Sequence, residues 1–154
     1  MQTIETILRE VPLFQGLTED QLELIAGCGS NIHYSEGELL FRDGEEADTF
    51  YVLRQGSVAL ETFVPARGSA TIETLEAGEV VGWSWLFPPH RWHFDARALS
   101  LVRATSFDGA CLRGKIESDH ELGYALMSRF AQVMIERLQS TRLRLLDMYG
   151  YAGD

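Results

Sequence analysis

A small β barrel or sandwich flanked by helices is the fold class this sequence predicts: mainly β in the middle, α at both ends. Two observations carry it. Between Asn31 and Ser106 the chain is cut into short apolar runs bounded by glycine, at the density of strands joined by turns. On either side of that stretch apolar residues recur at helical spacing. With 154 residues, 45% hydrophobic and 23% charged, the chain has the make-up of one domain with a true core.

Each element has a local reason. Ile4, Ile7 and Leu8 give Thr3 to Arg9 a helical stripe, which Pro12 ends. Thr18-Glu19-Asp20-Gln21 has the form of a capping box and opens a second short helix, with Leu22, Leu24 and Ile25 as its apolar side and Gly27 and Gly29 as its stop. Strands are predicted at Ile32 to Tyr34, Leu39 to Arg42, Thr49 to Arg54, Ser57 to Phe63, Ser69 to Leu75, Glu79 to Gly82, Asp95 to Ala98 and Ser100 to Ser106. Two turns, at Asp43-Gly44 and Gln55-Gly56, place a glycine where a positive φ is needed.

Asp108 to Lys115 reads as a short helix, and Asp119 caps a long one running to about Asp147. The long helix carries an apolar stripe (Leu122, Leu126, Phe130, Val133, Met134, Leu138, Thr141, Leu145, Met148) opposite Arg129, Glu136, Arg142 and Arg144. A small barrel cannot cover so long a stripe, so Leu126, Phe130, Val133, Leu138 and Leu145 are expected to form a seam with a second copy of the chain. The organisation expected is a β unit with its N-terminal helices over residues 1–118 and a dimerisation helix with a tail over residues 119–154.

Charge and composition exclude several functions. A formal net charge of −10 repels phosphate backbones and anionic lipid, so neither nucleic acid nor a membrane is an expected partner. No basic region followed by an apolar core opens the chain, and no apolar run nears the ~20 residues that span a bilayer, which points to the cytoplasm. Cys28 and Cys111 lie far apart and form no CxxC pair; they read as buried free thiols.

Gly78 to Ala98, GEVVGWSWLFPPHRWHFDARA, concentrates all three tryptophans. Trp83, Trp85 and Trp92, with Phe87, Phe94, Pro88 and Pro89, either wall a slot for a flat or cationic ligand or fill the space as core. His90, His93 and Asp95 invite a metal reading, but along an extended segment His90 faces away from the other two, which suits a poor chelate. No Ser/His/Asp set or carboxylate pair supports an enzyme, and no cofactor is expected.

The runs Val11-Pro12-Leu13-Phe14-Gln15-Gly16-Leu17, Glu36-Gly37-Glu38-Leu39-Leu40-Phe41-Arg42-Asp43-Gly44-Glu45-Glu46-Ala47, Phe50-Tyr51-Val52-Leu53-Arg54-Gln55-Gly56-Ser57-Val58 and Leu75-Glu76-Ala77-Gly78-Glu79-Val80-Val81-Gly82 resemble, in order, the cyclic nucleotide-binding domain of the bacterial catabolite activator and fumarate-nitrate regulators. The resemblance implies an eight-stranded jelly roll of the double-stranded β-helix type seen in cupins, and a long C-terminal dimerisation helix. It also implies a phosphate-binding cassette in which a glycine and glutamate open a short helix and a later arginine pairs with the cyclic phosphate.

This chain departs from that pattern at both polar ligands. Aligning Gly82 with the cassette glycine puts Trp83 in the glutamate's place, and aligning Ala98 with the closing alanine puts Trp92 in the arginine's. An indole N–H donates one hydrogen bond but neither accepts from a ribose hydroxyl nor neutralises phosphate. Arg91 is adjacent, but neighbouring residues of a strand face opposite ways. The candidate pocket is therefore Gly82, Trp83, Ser84, Trp85, Arg91, Trp92 and His93. Only Met148 to Asp154 follow the long helix, too few for the family's winged helix-turn-helix. The expectation is a stand-alone, dimeric, non-catalytic sensor or regulatory domain that does not bind cyclic AMP or cyclic GMP and acts through a protein partner. The alternative is a small-ligand receptor, using the aromatic pocket or holding a cyclic nucleotide by Arg91 and backbone amides.

Overall fold

The structure, a computed structural model, describes residues 3–148 and Gly150. Tyr149 and the last four residues of the expected tail lie outside the described residues. Helix α1 (Ile4–Glu10) starts at Thr3, whose hydroxyl accepts from the Thr6 amide. A 3-10 turn at Pro12–Phe14 follows, then α2 (Glu19–Ala26), where both halves of the expected capping box form between Thr18 and Gln21. Eight strands come next: β1 (Gly29–Tyr34), β2 (Leu39–Phe41), β3 (Thr49–Gln55), β4 (Val58–Val64), β5 (Gly68–Leu75), β6 (Val80–Val81), β7 (Asp95–Ala98) and β8 (Val102–Asp108). The chain closes with α3 (Gly109–Ser118) and the 29-residue α4 (His120–Met148).

The strands form two four-stranded antiparallel sheets, β1-β8-β3-β6 and β2-β7-β4-β5, which is the predicted jelly roll. Strand β3 shows why the roll has two cores. Its side chains alternate, so Phe50 and Val52 face the helices while Tyr51 and Leu53 face the interior of the roll. On the helical side Phe50 stacks on Phe107 and Trp85 and meets the edge of Phe130. Inside the roll lie Leu40, Phe41, Leu60, Val81, Trp92 and Ala104. Gly56 is required where it stands: at φ +88° it turns the chain against β8's approach, and a Cβ there would overlap the Leu101 carbonyl.

The cysteines correct the sequence reading. Cys28 and Cys111 are joined in a disulfide with their Cα atoms 5.8 Å apart. Separation along the chain hid what strand pairing creates: β1 and β8 pair from Gly29 opposite Phe107, and the Asp108 amide donates to the Cys28 carbonyl at 2.9 Å. Cys111, in the first turn of α3, therefore falls beside Cys28, and the expectation of free thiols fails.

Helix α4 divides into two parts. Leu122, Leu126 and Phe130 are fully buried in the domain's own helical core, joined by half-buried Val133 and Met134. Leu126 and Phe130 thus have no surface for a second copy, contrary to the seam expected for them, and Val133 has little. Beyond them the apolar side chains stand exposed: Ile135, Leu138, Leu143, Leu145 and Leu146. Arg129 and Arg144, expected on the solvent face, reach back instead, Arg129 to the Gln15 carbonyl and Arg144 to the Ile72 carbonyl and Glu73.

Candidate functional site

The segment from Gly78 to Ala98 crosses from one sheet to the other. Strand β6 ends at Gly82, whose φ of +96° turns the chain out of the sheet. Trp83 follows, then a single 3-10 turn, Ser84–Leu86, in the place where the resemblance puts a short helix. The chain returns through the cis bond between Pro88 and Pro89, and through His90 at a φ of +55°, to β7.

Backbone pairing fixes which way the returning side chains face. The Ala47 amide donates to the His90 carbonyl at 2.7 Å, the Trp92 amide to Glu45 at 3.0 Å, and the Gly44 amide to Trp92 at 2.8 Å, while Arg91 bridges to Glu46. Held this way, Trp92 points into the roll and Arg91 out of it. The Arg91 guanidinium donates to the Gly44 carbonyl at 3.2 Å on the exposed side. His93 is exposed as well. Asp95 accepts from the Asp43 amide at 2.8 Å, and no group of three His, Cys, Asp or Glu with metal-binding geometry occurs among the described residues.

The three tryptophans have three different surroundings. Trp92 is 3% exposed and lies flat on Phe41, with ring centroids 3.7 Å apart and planes within 8°. Its six-membered ring covers Gly82: a Cβ on that glycine would stand 2.6 Å from Trp92 Cζ3. Trp85 is fully buried on the other side, stacked at 4.9 Å on Phe50 and edge-on to Phe130. Its carbonyl accepts from Arg113, which ties the 3-10 turn to α3, and its indole N–H has no partner among the described residues. Ser84, half-buried, offers its carbonyl to the Phe87 amide. Trp83 lies at a cavity against α4, with the Arg137 guanidinium 5.0 Å from its ring centroid, while the buried Trp92 edges a separate one beside Phe41, Glu46, Asp48 and Tyr51.

The cavity at Trp83 has a volume of about 320 Å³ and lies between the roll and α4. Leu60, Ile72, Trp83, Phe94, Met134 and Leu138 form its apolar walls, with Glu73, Arg137 and Thr141 as polar members. The structure thus separates the candidate residues: Gly82 and Trp92 meet inside the roll, Trp83 lines the slot, Trp85 belongs to the helical core, and Arg91 and His93 face outward. The sequence reading missed Arg137. A signal was present, because Arg137 lies three residues after Met134 and four before Thr141, within the apolar stripe of α4.

Burial bears on two groups nearby. Tyr51 sits inside the roll with its hydroxyl 3.4 Å from that of Tyr34; burial first, then this neighbour, raise it far above the ordinary phenol range, so it stays protonated. Burial lowers the Arg137 guanidinium from its usual value, with Glu73, Glu79 and Glu136 acting the other way.

A jelly roll with a glycine-led connection between β6 and β7, and a long helix packed beside it, is the architecture of a regulatory or sensor domain. The family model for the cyclic nucleotide-binding domain matches residues 31–119, and the chain belongs to that family. It is 33% identical over 106 residues to human cGMP-dependent protein kinase 2, covering 68% of this chain but 13% of the kinase. It is also 23% identical over 145 residues to the CRP-like cAMP-activated global transcriptional regulator of Mycobacterium tuberculosis, of which it spans 63%. Among solved structures, a candidate cyclic nucleotide-binding protein from Geobacter metallireducens is 31% identical with a TM-score of 0.79, covering 90% of this chain and 99% of that one. The sensor domain of the regulator DNR from Pseudomonas aeruginosa shares the fold, with 19% identity and a TM-score of 0.71 over 88% of this chain and 91% of that one.

Proposed function

We propose that this chain is a non-catalytic regulatory domain whose cyclic-nucleotide cassette is closed by its own side chains, and that it signals through protein contacts without holding cyclic AMP or cyclic GMP. The observation that supports this most is Trp92 lying over Gly82. A cyclic phosphate bound there needs a guanidinium and accessible backbone amides, and the indole supplies no charge while occupying the approach. Removing one partner of a buried charge pair costs about 2–5 kcal/mol, which is on the order of a hundredfold or more in affinity. Thermal unfolding tests the reading: millimolar cyclic AMP or cyclic GMP should leave the melting temperature unmoved, and a rise of several degrees overturns it.

The domain acts as a homodimer in this reading. Exposed Ile135, Leu138 and Leu145 are spaced three and seven residues apart, as in one side of a two-helix seam. Sedimentation should return twice the 17.3 kDa chain mass, and Ile135→Glu with Leu145→Glu should return it to a monomer. We place the domain in the cytoplasm; no helix among the described residues is long and apolar enough to cross a membrane. There the Cys28–Cys111 bridge meets a reducing pool that opens most disulfides, and alkylation of thiols in rapidly quenched cells reads its state.

A second reading, a receptor for a small ligand, is favoured by one observation: the slot beside Trp83 is open where the cassette is filled.

A further inference from the structure

We infer that the slot between Trp83 and α4 binds a small planar aromatic carboxylate, with Arg137 as its anchor. This rests on the closed-cassette reading, because Trp92 denies the slot's occupant a phosphate held at Gly82.

The apolar walls decide the body of the ligand. About 320 Å³ is at the small end of ligand pockets and accommodates one or two fused rings. Trp83 and Phe94 offer ring contacts, while Leu60, Ile72 and Met134 offer aliphatic surface, which suits a flat aromatic frame better than a sugar.

Arg137 decides the charge. Its Nη2 donates to the Val80 carbonyl, whereas Nη1 is shielded from solvent and has no hydrogen-bond partner among the described residues. None of the ion pairs found among the described residues includes Arg137. The nearby carboxylates are engaged elsewhere: Glu73 pairs with Arg144 at 3.6 Å and Glu79 accepts from the Glu76 amide at 2.6 Å, while Glu136 is exposed on the preceding residue of α4. A guanidinium nitrogen kept from water with its hydrogens unused is under-compensated, and a carboxylate's two oxygens match the guanidinium fork. A turn about the terminal torsions of Arg137 brings the unused Nη1 to the ligand's acid group, and the rings then lie against Trp83. The chain as a whole carries a net charge of −10, so its overall field does not draw anions to the slot.

The test uses 2-naphthoate and its uncharged analogue 2-naphthamide, titrated calorimetrically into the whole chain at physiological salt, with cyclic AMP titrated in parallel. The expected result is one 2-naphthoate per chain, 2-naphthamide at least about tenfold weaker, and a similar loss of 2-naphthoate affinity in Arg137→Gln and Trp83→Ala. Acid and amide are compared on the wild-type protein, so that comparison decides the matter even where a variant fails to fold. Equal binding of acid and amide, full affinity in Arg137→Gln, or no binding of 2-naphthoate overturns the inference. If 2-naphthoate fails and cyclic AMP also fails, the closed cassette stands and only the aromatic-acid site falls; if cyclic AMP binds, the reading beneath both falls.

Discussion

Trp92 and Trp83 come from the same connection between β6 and β7 and end in opposite circumstances. Trp92, strapped by backbone bonds to the turn at Gly44 to Ala47, is driven inward onto Phe41 and Gly82. Trp83, placed just after the positive-φ glycine, leaves the roll and meets Arg137 of α4 at the edge of an open slot. The difference teaches that residue type alone does not decide between core and pocket. Backbone pairing does, by fixing which way an identical side chain points.

Truncation should expose this asymmetry most strongly. Trp92→Ala removes a buried, stacked indole and should cost about 3–5 kcal/mol in chemical denaturation. A cost below about 1 kcal/mol would mean that the ring does not fill the roll. Next comes the bridge on the helical side: reducing Cys28–Cys111, which closes a loop with a sequence separation of 83, should destabilise the domain by about 2–4 kcal/mol and lower its melting temperature. An unchanged melting temperature under reductant would contradict the bridge.

Gly82→Ala probes the contact between the two cassette landmarks. At φ +96°, with Trp92 against it, an alanine should cost about 1–3 kcal/mol, and pairing it with Trp92→Ala should recover part of that loss, which a double-mutant cycle measures. Additive losses would place the indole elsewhere. The smallest effect belongs to Trp83→Ala: a half-buried ring at a cavity edge should contribute only about 1 kcal/mol to stability. A loss as large as that of Trp92→Ala would erase the distinction drawn between the two rings.

Most of the fold was legible because local signals and global pairing agreed. Glycine-bounded runs placed all eight strands, and Thr18 with Gln21 placed the start of α2. The opposite facing of Arg91 and Trp92 followed from strand alternation alone, and the bridge from Arg91 to Glu46 bears it out. What the sequence hid depended on contacts between distant segments. Cys28 and Cys111 become neighbours only through the register of β1 with β8. Leu126 and Phe130 carry the same periodic signal as Leu138 and Leu145, and only the extent of the roll decides that the first two are covered by it. In the sequence only its place within the apolar stripe of α4 marks Arg137; the fold sets Trp83 beneath it.

The central claim is that the cassette is closed to the family's ligand, and isothermal titration calorimetry of cyclic AMP and cyclic GMP against the wild-type chain tests it most directly. A closed cassette predicts no saturable heat below millimolar concentrations for either nucleotide; one-to-one binding in the micromolar range would show that Trp92 yields its place over Gly82 and would contradict it.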